Sequence, residues 1–195
     1  MANHEQRSLF TASEQKSLIG WGRSQVELEM DSDGIQAWKA AIAQYQRQVN
    51  ISQAPAQGTL FDLAPTTVDA ACIDPFSLKL HNFHFFEWPA DRYPSTPCIY
   101  FAIDIKLPLI LYIGETCKAN QRWKGVHDCK RYVLNYQNLH RKYQLPTAVN
   151  TAFWWETPGE TKQRLHLEAE LIARWRSPFN KENWRFWGTP FVGKG

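Results

Sequence analysis

The stretch Cys98-Ile99-Tyr100-Phe101-Ala102-Ile103-Asp104-Ile105-Lys106-Leu107-Pro108-Leu109-Ile110-Leu111-Tyr112-Ile113-Gly114 decides the fold. Cys98 to Ile103 is apolar and rich in β-branched and aromatic side chains, and Leu109 to Ile113 is a second such run. Asp104 to Pro108 carries the turn chemistry between them. A hairpin is expected, with Gly114 ending its second strand. Downstream, Lys118 to Lys124 and Lys130 to Tyr143 read as helices, and Ala148 to Trp155 as a third strand. Thr161 to Trp175 reads as an amphipathic helix with Leu165, Leu167, Leu171 and Ile172 among its apolar positions. From the hairpin onward the expected order is β-β-α-α-β-α. The fold class is α+β, a small three-stranded antiparallel sheet flanked by helices.

Upstream of the hairpin, Phe76-Ser77-Leu78-Lys79-Leu80 alternates like a strand and leads into an aromatic, Pro-containing loop through Trp88-Pro89. Nearer the start, Thr11-Ala12-Ser13-Glu14 has the form of a capping box and predicts a helix start. After Asp33-Gly34, the residues Ile35, Trp38, Ala41, Ile42 and Tyr45 recur at helical spacing up to about Val49. Between residues 50 and 67 the composition shifts to Ser, Gln, Ala, Pro, Gly and Thr, as in a linker. The expected organisation is a helical extension over 1–49, a linker over 50–67 and a domain over 68–195 with its core at 97–180.

With 195 residues, 44% hydrophobic and 14% aromatic, the chain can fold most of its length around a real core. A formal net charge of +3 is too small to identify a nucleic-acid binder by itself. Cys72, Cys98, Cys117 and Cys129 form no C-x-x-C pair, so buried free thiols are expected. His81 and His84 lie among aromatics without a nearby Cys or carboxylate, which argues against a zinc site there. No charged-then-apolar leader and no run of ~18 apolar residues occurs, so a cytoplasmic protein with no membrane partner is expected.

Tyr112-Ile113-Gly114 and Cys98-Ile99-Tyr100, the latter with Cys in place of Gly, resemble the paired tripeptides of the GIY-YIG nuclease family. The spacing extends the resemblance from about Pro97 to Asn180. Arg122 falls eight residues after Gly114, where family members place an arginine on a helix. Glu168-Ala169-Glu170-Leu171-Ile172, followed by Pro178 and Asn180, reproduces the later E-x-x-L-I, Pro and Asn pattern. The family cuts phosphodiester bonds, which requires a base for water, positive charge on the phosphate and help for the leaving oxygen. By resemblance, Glu168 holds a single Mg²⁺ (or Mn²⁺), an ion that keeps most of its water shell. Arg122 clamps the phosphate with a fixed planar charge. Tyr100 is the general base, Tyr112 orients the water, and Asn180 braces the site. Many relatives carry His or Tyr four residues after the arginine; this chain has Val126 there and His127 one place later. His127 therefore serves only if the helix turn aims it inward. Otherwise proton handling passes to Tyr100 with a lysine, or to Tyr132, Tyr136 or His140.

Two short peptides, Gln6-Arg7-Ser8-Leu9-Phe10 and Gln57-Gly58-Thr59-Leu60-Phe61, share Gln-x-Ser/Thr-Leu-Phe and resemble the peptide by which bacterial proteins bind the replicative sliding clamp. Leu9, Phe10, Leu60 and Phe61 would fill an apolar pocket while Gln6 and Gln57 bond at its rim. Alternatively, these residues pack against the protein's own domain. The expected function is a metal-dependent, structure-selective DNA endonuclease of repair or recombination, held to branched, flapped or single-stranded DNA by the clamp. The alternatives are a sequence-specific restriction or homing nuclease and a non-catalytic clamp or DNA adaptor. Trp184, Phe186, Trp187 and Phe191 either stack on exposed bases or close a small core.

Overall fold

The computed structural model describes residues 30–52, 68–82, 96–117 and 128–191. The helix starts expected at Thr11 and Lys118, Arg122 and His127, and both clamp-like peptides lie outside the described residues. Among the described residues no helix is long and apolar enough to cross a membrane.

The sequence order is helix α1 (Ser32–Arg47), strands β1 (Leu80–Asn82), β2 (Cys98–Asp104) and β3 (Leu109–Thr116), helix α2 (Asp128–Lys142), strand β4 (Val149–Trp154), helix α3 (Thr161–Trp175) and the single turn α4 (Trp184–Trp187). The strands form one antiparallel sheet in the order β1-β4-β2-β3. The sheet thus has four strands where three were expected, because short β1 pairs with the outer edge of β4. The upstream strand also begins later than the alternation implied. Pro75–Ser77 forms a 3-10 turn, since Pro75 suits a first helical position and the Asp74 carboxylate accepts the Phe76 amide proton. Gly114 does not end β3, which continues pairing with β2 to Thr116.

β2 is buried on both faces, and its alternation divides the core in two. Cys98, Tyr100 and Ala102 pack with α1 and α2; Ile99, Phe101 and Ile103 pack with α3. The result is three layers, with helices on both faces of the sheet. α1 begins where the Asp31 carboxylate accepts the Gly34 amide proton at 2.7 Å. It places Trp38, Ile42 and Ala43 in the same cluster as β2 and α2. The described part of the N-terminal region is therefore an integral piece of the domain core. The expected apolar stripe of α1 shifts in detail: Ala41 is exposed and Tyr45 half-buried, while Lys39 and Gln46 are buried. In α3 likewise, Leu165 is exposed and Arg164 takes a core-side position. Of the four thiols, Cys98 and Cys129 are buried, Cys72 half-buried and Cys117 exposed. Burial, reinforced by the Glu115 carboxylate, pushes the Cys98 thiol up to about 12, so it remains protonated.

The two buried polar residues of α1 have defined tasks. Gln46 donates to the carbonyls of Ile110 and Trp175 and accepts the Ile110 amide proton, at 2.8 to 3.0 Å. Lys39 donates to Asp104 at 3.1 Å, and its Nζ lies 3.0 Å from His140 Nε2. Asp104, fully buried at the end of β2, also accepts from Tyr136, Thr147 and the amides of Lys106 and Ala148. Burial alone would raise its carboxyl, but the Ala148 amide, the Lys39 ammonium and the Tyr136 hydroxyl outweigh that and hold it below the usual range.

His140 Nδ1 faces the Tyr136 carbonyl at 2.8 Å and its Nε2 faces an ammonium, so its partners assign the neutral tautomer with the proton on Nδ1. Burial, with the Lys39 charge, pulls its pKa down from the ordinary histidine value despite the opposing Tyr136 carbonyl and Asp104. The native state then resists a proton that the unfolded chain accepts near pH 6.5. Its contribution to stability is complete above that pH and lost as pH falls toward the lower native value, with a slope of at most about 1.4 kcal/mol per pH unit. Urea titrations at pH 7.5 and 5.5 should show a smaller loss on acidification for His140→Gln than for the unsubstituted chain; equal losses would remove His140 from this role.

Candidate active site

β3 is the outer strand of the sheet, and the groups along its free edge organise the site. Asn180 grips Ile113 twice, accepting its amide proton at 3.0 Å and donating to its carbonyl at 2.9 Å. The Ser177 hydroxyl donates to the same Asn180 oxygen at 2.6 Å. The Phe179 amide donates to the Leu111 carbonyl at 2.9 Å. One step further along β3, Glu168 on α3 accepts the Glu115 amide proton at 2.9 Å. That bond fixes the direction of the Glu168 carboxylate from the backbone of the strand that carries Tyr112.

Tyr100 and Tyr112 project from neighbouring strands onto the α1/α2 side of the sheet, with ring centroids 6.0 Å apart and planes 22° from parallel. Tyr100 faces Gly114 in the strand register. A Cβ at Gly114 would lie 2.3 Å from both Cζ and Oη of Tyr100, so the glycine exists to let the phenol cross the partner strand. Tyr100 is fully buried, whereas Tyr112 is half-buried and lines a cleft of about 520 Å³ together with Glu168 and Asn180. The structure therefore brings Tyr100, Tyr112, Glu168 and Asn180 together, and only Tyr100 among them does not line the cleft. Of the alternative proton carriers, Tyr132 lines the cleft, while Tyr136 and His140 are committed to the Asp104 network.

Several polar residues of this region escaped the sequence reading. Arg164 is buried and donates to Glu115 at 2.8 Å, to Cys117 Sγ at 3.0 Å, to Thr161 and to the carbonyls of Pro158 and Gly159. Burial works against its charge, but Glu115 and Cys117 more than compensate, and its pKa is raised. Its place four residues before Glu168 on one helix face was the available signal. Asp128 joins the cleft as the partner of Lys181 at 3.0 Å and of Arg131 at 2.9 Å. The Asp128 hydrogen bond and charge raise the Lys181 pKa.

The chain leaves α3 through Arg176, whose φ of 45° and ψ of 47° are left-handed. Gly or Asn ordinarily fills such an exit, and another L-residue there costs about 1–2 kcal/mol. The Arg176 guanidinium lies 4.6 Å from the Tyr45 ring and 4.1 Å from the Phe186 ring, on the wall of the cleft. Its carbonyl accepts from Trp187 Nε1 at 2.7 Å.

Gly114→Ala should push the Tyr100 ring off β3, lowering stability by about 1–3 kcal/mol in urea titrations and altering the near-ultraviolet dichroism of the stacked tyrosines. An unchanged spectrum and midpoint would mean that the ring has room to move. No protein-family model, curated protein or solved structure matches this chain.

Proposed function

We propose that the chain is a divalent-metal-dependent DNA endonuclease of the GIY-YIG type, acting on branched, flapped or single-stranded DNA in repair or recombination. The observation that carries this reading is the convergence of Tyr112, Glu168 and Asn180 on one cleft, with Tyr100 stacked behind Tyr112. These residues come from β2, β3, α3 and the segment after α3, so their meeting is not implied by nearness in sequence. A four-stranded antiparallel sheet with helices on both faces accommodates the three-stranded family sheet as β4-β2-β3, with β1 added at its edge.

The Glu168 carboxylate on the wall of an open cleft suits Mg²⁺ or Mn²⁺, which keep most of their water and take few protein oxygens. Glu168 would hold the ion, which when bound supplies positive charge against the phosphate and the leaving oxygen. The chain's own residues do the rest. The Glu115 amide holds one Glu168 oxygen in place, limiting the carboxylate's rotation. Tyr112 presents its phenol to the cleft and orients the attacking water, and the buried Tyr100 ring fixes where Tyr112 stands. Proton removal is thus assigned to the tyrosine pair, with Tyr112 its cleft-facing member. Arg122 supplies the phosphate clamp, and Asn180 holds β3 against the segment that closes the cleft. The peptides around Leu9-Phe10 and Leu60-Phe61 tether the enzyme to a sliding clamp, raising its concentration at DNA without strong binding of its own.

Labelled duplex, single-stranded, flap, fork and four-way-junction DNAs, incubated with Mg²⁺ or Mn²⁺, test the activity. Cutting should need metal and fall by at least about a hundredfold in Glu168→Gln and Arg122→Ala. Glutamine keeps an oxygen for the Glu115 amide, so that variant separates the loss of charge from the loss of the edge contact. Variants that cut as well as the unsubstituted chain would leave the adaptor reading. Capture on immobilised clamp should fall when Leu9/Phe10 and Leu60/Phe61 are changed to alanine, and undiminished capture of both double variants would discard the tether.

A further inference from the structure

The cleft is also lined by Arg176, Arg185 and Phe186. Phe186 is 41% exposed, although its neighbours Trp184 and Trp187 are half-buried. Both guanidiniums approach its ring, Arg176 at 4.1 Å and Arg185 at 4.7 Å. Of the cleft's carboxylates, Asp128 is engaged by Lys181 and Arg131, and among the described residues neither Arg176 nor Arg185 takes part in an ion pair. Glu168 and Glu182 also line the cleft, but both guanidiniums stand there outside any ion pair among the described residues, as fixed charge that a phosphate can engage. Arg176 holds this place at the expense of a left-handed backbone that Gly or Asn would adopt more easily. A strained residue whose side chain lines a cleft marks a demand made on that side chain.

We propose that Arg176, Arg185 and Phe186 form a subsite for an unpaired nucleotide of the DNA strand that enters the cleft. The inference rests on the nuclease reading and names what that cleft selects. The guanidinium planes that lie over the exposed ring, together with the part of the ring they leave open, offer a stacking surface to a base, which an unpaired strand can present face-on along its length. The guanidinium edges take the adjacent phosphate through paired N–H donors. A blunt duplex offers the phosphates but open base faces only at its two ends, so it gains mainly from the charges. Tyr45 backs Arg176 on its other contact, and its hydroxyl donates to the Arg174 carbonyl at 3.1 Å, so α1 helps set the subsite. Lys181 and Arg131 stay paired with Asp128.

Fluorescence anisotropy in metal-free buffer, with a labelled single-stranded oligonucleotide and the same sequence as a blunt duplex, separates the alternatives. Phe186→Leu and Arg176→Asn should each weaken single-strand binding by about tenfold and duplex binding by no more than about twofold. The Arg176→Asn melting temperature should hold or rise, because asparagine tolerates the left-handed conformation. Single-strand affinity unchanged in both variants would overturn the subsite, and so would a lowered Arg176→Asn melting temperature with unchanged affinity, the mark of a purely structural arginine. If the unsubstituted chain bound neither DNA, the nuclease reading would fall with it. If it bound and cut DNA while both variants bound like the parent, only the subsite would fall.

Discussion

The outer edge of β3 is the constraint on which the rest depends. An edge strand leaves a row of amide and carbonyl groups without a neighbouring strand, and each such group buried without a partner costs about 1–3 kcal/mol. Here four residues from three separate parts of the chain satisfy that edge: Gln46 at Ile110, the Phe179 amide at Leu111, Asn180 at Ile113 and Glu168 at Glu115. The register shift near Ala102/Ile103 lets Ile110 and Leu111 both bond off the sheet. The same bonds place the candidate site, because β3 is also the strand of Tyr112 and Gly114. Two residues assigned to catalysis by resemblance, Glu168 and Asn180, are thus also the residues that close the sheet edge. The structural role and the proposed chemical role coincide at these positions, and a substitution that removes both hydrogen-bonding atoms and charge confounds them.

Buried charge reinforces the hairpin at both ends. Asp104 at its turn gathers Lys39, Tyr136, Thr147 and two backbone amides, and Glu115 near its mouth is held by Arg164. A buried pair is worth little against an apolar replacement, but breaking one costs about 3–5 kcal/mol because a charge is stranded. These networks therefore specify one arrangement more than they stabilise it. Lys39 ties α1 to the turn of the hairpin, and Gln46 ties the same helix to β3 and to the end of α3.

Much of this architecture was legible. The β2–β3 hairpin, α2, β4 and α3 were visible because each follows one period for long enough, and Thr161–Trp175 matched to the residue. Where short patterns competed with local chemistry, the local chemistry prevailed, as at Asp74-Pro75, where a capped turn replaced the start of an expected strand. The four-stranded sheet was not legible, since three residues of β1 carry too little pattern to announce a pairing. The apparent boundary after α1 came from the composition of residues 50–67, which says nothing of where the helix before them packs. Of the residues named by resemblance, Tyr112, Glu168 and Asn180 come together on one cleft, but the burial of Tyr100 depends on β2 being covered on both faces, a tertiary fact. Lys39, Gln46 and Arg164 were missed because sequence patterns assign long polar side chains to the surface unless a partner is known.

The division between the tyrosines follows from the same packing. Gly114 removes the one Cβ that would block Tyr100 from lying across β3, and the ring in that place is sealed from solvent. A sealed phenol can set the position of its neighbour with a precision that an exposed one lacks, since its rotamer is held by contacts on every side. Tyr112, stacked on it and opening to the cleft, inherits that position while remaining reachable. Glu168 is oriented in a parallel way, from behind, by a backbone amide that cannot titrate or rotate away. If Glu168 alone holds a hydrated ion, as proposed, the site has few direct ligands with which to impose geometry, and its accuracy would come from what stands behind Tyr112 and Glu168. In this chain that support is β3 itself, whose backbone bonds Glu168 and Asn180 and whose glycine admits Tyr100.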